Sequence, residues 1–306
     1  MTIRRAAARA NRAGGKRNAK PSQPRYGCGA VPLPPYGWPL KPFDRAHPVR
    51  AYFNDPRISG GSKTFHFGID ISAKDGAPVY AVADGTVHLE GGRSLAVLGA
   101  DGRAFGYWHV IPAVKHHAFV HRHQQVGRVE APWGHLHFAE RYRKRYRNPL
   151  RPGGLTPWSD PSSPRITSIE FFRGRKQLSP LLVAGAVDVV VEAHDVPPLT
   201  VPPPWTHMPV TPAALRWRVL KGGKVIRPWH TPVDFRKSLI ARELFDSIYA
   251  PGTKQNHPNK PGRYRFYIAR SWSTNRLRDG LYRLQVEASD ESGNSARATL
   301  PFTIRN

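Results

Sequence analysis

Between residues 50 and 140 the apolar residues keep no helical period. They fall in short runs broken by glycine, proline and Asp-Gly pairs. With 27 glycines and 31 prolines in 306 residues, the chain favours many turns over long helices, so a mainly β fold is expected. Residues 76–87 (GAPVYAVADGTV) read as strand, turn and strand, because Asp84-Gly85 between β-branched residues suits a tight hairpin. Residues 95–98 and 106–110 read as the next two strands, divided at Asp101-Gly102, and residues 135–138 as a short one.

Composition divides the chain. Residues 1–25 hold eight Lys/Arg and no acid, so residues 1–30 are expected to be a basic, disordered tail. A first domain is expected over residues 31–155, opening on the proline-rich stretch VPLPPYGWPLKP. Residues 152–164, rich in Pro, Gly and Ser, mark its end. Over residues 160–306, strands read at 166–172, 187–193, 215–220, 264–269, 281–288 and 298–304, which favours an antiparallel β-sandwich. Residues 197–212 must be loop. The apolar spacing of Leu239, Ile240, Leu244, Phe245 and Ile248 predicts an inserted helix over 233–249. The final stretch, Asp279-Gly280-Leu281-Tyr282 followed by Asp290-Glu291-Ser292-Gly293-Asn294, resembles immunoglobulin-like and fibronectin-like modules.

The net charge of +26 implies attraction to polyanions, whether nucleic acid, anionic lipid or anionic wall polymers. The basic run 141–151 (RYRKRYRNPLR) concentrates six of these charges, interleaved with Tyr142 and Tyr146. It reads either as a polymer-binding surface or as a solvated connection. No nucleic-acid fold signature accompanies it, so a nucleic-acid partner is not expected. A single cysteine, Cys28, excludes an intrachain disulfide and a cysteine-based zinc cage. There is no apolar run of about 18 residues for a membrane-spanning helix. The basic start Met1-Thr2-Ile3-Arg4-Arg5 lacks the apolar stretch of a signal peptide.

Three motifs carry metal-site chemistry: His66-Phe67-Gly68-Ile69-Asp70, Tyr107-Trp108-His109 and His135-Leu136-His137. Residues i and i+2 of a strand share a face, so His135 and His137 would stand side by side, with Leu136 and Phe138 turned into a core. His66 and Asp70 would lie roughly 13 Å apart in an extended strand, too far to share an ion, so the chain must bend between them. Gly68 is the residue expected to permit that bend. A His–Asp–His set with one open position suits a catalytic zinc. The competing reading is a very basic β-protein whose histidines are simply numerous. His121-Arg122-His123 repeats the His-x-His pattern, but its polar neighbours make it a solvated loop.

The ordered set Phe65-His66-Phe67-Gly68-Ile69-Asp70, Gly76-Ala77-Pro78-Val79-Tyr80-Ala81, Gly85-Thr86-Val87, Tyr107-Trp108-His109 and His135-Leu136-His137-Phe138 resembles the lysostaphin/LytM-type zinc metalloendopeptidases over roughly residues 38–140. The resemblance implies a compact antiparallel β-sheet core. It implies Zn2+ held by His66, Asp70 and His137, with His109 and His135 as the catalytic pair. It also implies peptidoglycan peptides as substrate, and an extracytoplasmic place of work. The basic run 141–151 would add contacts to anionic wall polymers. Two departures stand out: the approach to the last motif, residues 129–134, is short, and Glu140 sits one residue late for the family's acid and receives no role. The alternative on the same fold is a non-catalytic wall-binding or scaffold protein. A lipoyl-type module would also fit residues 76–87, but no lysine stands at Asp84-Gly85.

Overall fold

The computed structural model describes residues 33–306 and is 49% strand and 3% helix. The basic tail expected over residues 1–30 lies outside the described residues. The first half runs through β1 (Val49–Ala51), β2 (Pro56–Ser59), β3 (Ser62–Phe65), β4 (Ile69–Ser72), β5 (Pro78–Tyr80), β6 (Gly85–Leu89), β7 (Ser94–Leu98), β8 (Arg103–Trp108), β9 (Val110–Pro112), β10 (Phe119–Val120), β11 (Gln125–Val129), β12 (His135–Tyr142) and β13 (Arg145–Arg147). An antiparallel sheet in the order β1-β4-β12-β8-β7-β6-β10, with β13 paired to β12, forms its centre. A smaller sheet, β5-β11-β9, and the hairpin β2-β3 complete it. Leu136 and Phe138 of β12, Ile69 and Ile71 of β4, and Phe105 and Tyr107 of β8 are all fully buried in one core. This is the alternation that puts the neighbouring polar residues of β4 and β12 on the opposite face.

The expected hairpin over residues 76–87 does not form. β5 pairs with β11 in the small sheet, whereas β6 pairs with β7 and β10 in the large one. Asp84-Gly85 is a corner between sheets, and a Cβ on Gly85 would overlap the Leu98 carbonyl. Close approach, not hairpin geometry, calls for glycine there.

The second half contains β14 (Arg165–Arg173), β15 (Lys176–Leu178), β16 (Ala186–His194), β17 (Ala214–Lys221), β18 (Lys224–Asp234), β19 (Arg265–Ser273), β20 (Gly280–Ser289) and β21 (Ser295–Ile304). They make two antiparallel sheets, β15-β14-β16-β19 and β18-β17-β20-β21, around a second core that includes Val189, Trp217, Phe266, Leu284 and Phe302. The long helix expected over 233–249 reduces to a 3-10 turn, Arg242–Leu244, and one α-turn, Phe245–Ile248. Val233 instead lies next to last in β18, with its side chain in the core.

The two halves interlock. Phe65, the residue before His66, is buried in the second core, its ring centroid 5.3 Å from that of Phe245 and 5.6 Å from that of Tyr249. Asp55 accepts hydrogen bonds from the Thr211 backbone and hydroxyl, at 3.1 and 2.6 Å. The Tyr249 hydroxyl donates to the Asn54 carbonyl at 2.7 Å.

Candidate metal centre and active-site cleft

Asp70 of β4 and His137 of β12 are direct cross-strand partners, so both side chains leave the sheet on the same face. His66 reaches them from just past the end of β3, before the chain turns at Phe67-Gly68 into β4. Gly68 does not need a left-handed backbone to make that turn. A Cβ there would overlap the Phe138 carbonyl and stand 2.8 Å from His137 Nε2. The glycine therefore lets β12 approach, which corrects the expectation that it supplies backbone freedom.

The three groups converge. His66 Nε2 lies 2.8 Å from His137 Nδ1 and 3.1 Å from Asp70 Oδ1, and His137 Nδ1 lies 3.0 Å from the same oxygen. These are the separations expected of donors that share an ion about 2.0–2.2 Å away. The chemistry of the set agrees. His66 donates its Nδ1–H to the Tyr52 carbonyl at 2.9 Å, which leaves a lone pair on Nε2. Burial drives the His66 pKa down to about 3, so the ring is neutral. Burial alone would raise the Asp70 carboxyl. The neighbouring His66, then Arg57 and His135, with the hydrogen bond from His137, hold it well below the usual carboxylate range. The imidazoles of His66 and His137 and the Asp70 carboxylate thus bring their donor atoms to one buried point, and the residues fit a divalent ion.

His135 and His109 flank this centre. His135 Nε2 is 3.5 Å from Asp70 Oδ1, and the His109 and His135 ring centroids are 4.6 Å apart. Burial lowers both pKa values to about 4. His109 sits between β8 and β9 with φ of 59°, a left-handed conformation uncommon outside glycine. Its ring stacks on Trp133 at 3.9 Å. His135 Nδ1 has two neighbours, the Trp133 carbonyl at 2.8 Å and Arg50 Nη2 at 2.7 Å. Donation to Trp133 frees Nε2 as an acceptor, whereas acceptance from Arg50 puts the proton on Nε2. The Trp133 carbonyl and Arg50 thus compete for Nδ1, and the tautomer follows the partner that holds it. His121 and His123 lie exposed, away from this group.

The sequence of residues 64–149 matches the model of peptidase family M23. Over those residues the chain is similar to peptidase family M23.

Among solved structures, the chain is similar to Csd3 of Helicobacter pylori, at 23% identity, covering 39% of this chain and 34% of that one, with a TM-score of 0.32. It is similar to a zinc containing peptidase from Vibrio cholerae, at 25% identity over 38% of this chain and 39% of that one, TM-score 0.33. A catalytic-domain mutant of the prophage-encoded M23 protein EnpA from Enterococcus faecalis is 26% identical over 40% of this chain and 98% of that one, TM-score 0.30. The chain spans about a third of the Helicobacter protein and about two fifths of the Vibrio one. No curated protein matches it.

The matched segment does not build its cleft alone. An open cavity of about 510 Å³ over the His/Asp group is walled by Trp205, Gln255, Asn256 and Tyr264 from the second half. Arg50 lies over the Trp205 ring at 4.3 Å. Sequence reading missed these wall residues, because no local pattern links loop residues 205 and 255 to a motif near residue 66. It also missed Glu140. That side chain is fully buried, accepts from both Arg151 Nη1 and Nη2 at 2.6 and 2.8 Å, and takes the Tyr36 hydroxyl at 2.7 Å. Arg151 is therefore an internal partner, not part of a polymer-binding run. Tyr146 likewise packs on Phe67, with centroids 5.0 Å apart, and is not free to stack on a ligand. Arg141, Arg143, Lys144 and Arg145 remain exposed. Among the described residues, no helix is long and apolar enough to cross a membrane.

Proposed function

We propose that this chain is a zinc-dependent endopeptidase that cleaves peptide bonds of bacterial peptidoglycan outside the cytoplasm. The observation that carries the reading is the convergence of His66, Asp70 and His137 at the floor of an open cleft, with His109 and His135 beside them. His66 Nε2, Asp70 Oδ1 and His137 Nδ1 would hold the zinc. When bound, the ion supplies Lewis acidity, polarising a carbonyl oxygen and making water acidic near neutral pH. Neutral His135, with Nδ1–H on the Trp133 carbonyl, offers Nε2 as a proton acceptor facing the centre. His109, held by Trp133 on the other side of that ring, is placed to donate to an oxyanion or to return a proton to the leaving amine. The cleft walls of Trp133, Trp108 and Trp205 would line an extended peptide. The exposed cations Arg141, Arg143, Lys144 and Arg145 would attract anionic wall polymers.

The test is zinc content and release of amines from purified peptidoglycan. His137→Ala is expected to lose both. His135→Ala and His109→Ala are expected to keep zinc and lose turnover by about 10²–10⁴-fold. Wall lysis retained by His137→Ala would refute the assignment.

A further inference from the structure

We propose that Asp160, Asp195 and Asp290 form a calcium site that clamps the segment joining the two halves onto one end of the sandwich. Asp160 lies in that joining segment, Asp195 follows the last residue of β16, and Asp290 follows the last residue of β20. All three are at least 95% buried, and each offers a carboxylate oxygen within 4.8 Å of the other two. That span is twice a calcium–oxygen distance of about 2.4 Å.

Charge makes the arrangement unusual. The chain has 47 Lys+Arg and 21 Asp+Glu, yet three of its acids meet here. Among the described residues, no basic side chain figures among the charges acting on Asp160 or Asp195. The visible partners are neutral. Asp160 Oδ1 accepts from the Ser162 amide and hydroxyl at 2.9 and 2.6 Å. Asp195 Oδ1 accepts from the Val196 amide at 2.8 Å. Asp290 accepts from the Asn294 amide and side chain at 2.8 and 2.7 Å. Hydrogen bonds of this kind orient carboxylates but do not offset three negative charges in a buried place.

Two polar atoms are left over. Asp195 Oδ2 is buried with no hydrogen-bond partner. The Tyr52 hydroxyl, contributed by the first half, is also buried without a partner, and Asp195 and Asp160 are the charges that act on it most strongly. An occupant that carries positive charge and brings water of its own satisfies both. Carboxylate ligands without histidine or cysteine select a hard cation, and the flexible six-to-eight-fold oxygen shell of Ca2+ suits ligands from three separate loops. The bound ion would tie the joining segment, β16 and β20 together. It would thereby fix the sandwich whose loops wall the M23 cleft.

The experiment uses the full chain, with CaCl2 and TbCl3 as probes. Tb3+ bound here is expected to luminesce through Trp158 and Tyr52, whose ring centroids are 6.3 Å apart. Ca2+ is expected to displace it and to raise the unfolding temperature of the wild type. Asp195→Asn and Asp290→Asn are expected to weaken Ca2+ binding at least tenfold. If these variants do not fold, Trp158→Phe decides: Ca2+ binding persists while the sensitised emission falls. A wild type that neither sensitises Tb3+ nor responds to millimolar Ca2+ would overturn the proposal, leaving a cluster that shares protons. Undiminished Ca2+ binding in folded Asp195→Asn, or unchanged emission in Trp158→Phe, would overturn it equally.

Discussion

Arg57 donates to Asp70 Oδ2 at 2.8 Å, while the other oxygen of that carboxylate faces His66 and His137. The ion pair does two things at once. It keeps Asp70 ionised in a buried place, and it fixes which oxygen is offered to an ion. Partners of metal ligands typically contribute 10–100-fold to metal affinity. Arg57→Ala is therefore expected to weaken zinc binding by about 10–100-fold, read by competition with a chelating dye. Unchanged affinity would mean that Asp70 needs no such support.

Gly68 tests the same centre sterically. The added methyl group of Gly68→Ala would meet the Phe138 carbonyl and the His137 ring, and backbone cannot yield as a flexible side chain can. The expected outcome is a loss of about 1–3 kcal/mol in urea unfolding, together with loss of bound zinc. A stable, zinc-loaded variant would show that β12 can move away from this turn.

Glu140 and Arg151 make a second buried pair, remote from the centre in role, with Glu140 on the same strand as His137. Removing one member leaves the other charge without compensation. Arg151→Met is expected to destabilise the chain by about 3–5 kcal/mol. The double variant with Glu140→Gln should recover part of that loss. Chemical denaturation measures both, and a near-neutral single variant would contradict the buried pairing.

How much of this was legible in the chain varies with how local each cause is. His135-x-His137 on one face followed from strand geometry alone, and the register of Asp70 opposite His137 then completed the set. Asp84-Gly85 misled because turn chemistry is local, while the pairing of β5 with β11 is decided by distant residues. The apolar residues 239–248 gave a helical spacing for a different reason. Phe245 and Ile248 fill the sandwich core, whereas Leu239 and Ile240 pack against it from an irregular segment. Phe65 looked like a strand residue next to a motif, and nothing in its neighbours announced that it anchors His66 in the second core. Glu140 was invisible for the same reason, since its partners Tyr36 and Arg151 are brought to it by the fold.

The aspartate cluster adds a pH dependence whose sign can be worked out. Burial, reinforced by the charges of Asp160 and Asp290, raises Asp195 to about 8. Burial also raises Glu291 to about 8, partly opposed by Arg236 and Arg151, and raises Asp160. In the unfolded chain these groups titrate near 4. Between about pH 4 and 8 these groups therefore hold more protons in the folded, calcium-free protein than in the unfolded one, whereas His66, lowered to about 3, and His109 and His135, lowered to about 4, hold fewer below about pH 6.5, so the fall in stability with rising pH is expected above that point. Asp70 acts with the opposite sign only in the acid range, where its lowered pKa makes stability fall as pH drops. With a calcium chelator present, the unfolding midpoint is expected to decline from about pH 7 to 8.5, and saturating Ca2+ should flatten most of that slope by replacing protons at Asp195. Glu291 is not a ligand, so a smaller residual slope should survive in Ca2+ and disappear in Glu291→Gln. A midpoint that climbs between about pH 7 and 8.5 in chelator would mean that the three aspartates are ionised and compensated without an ion.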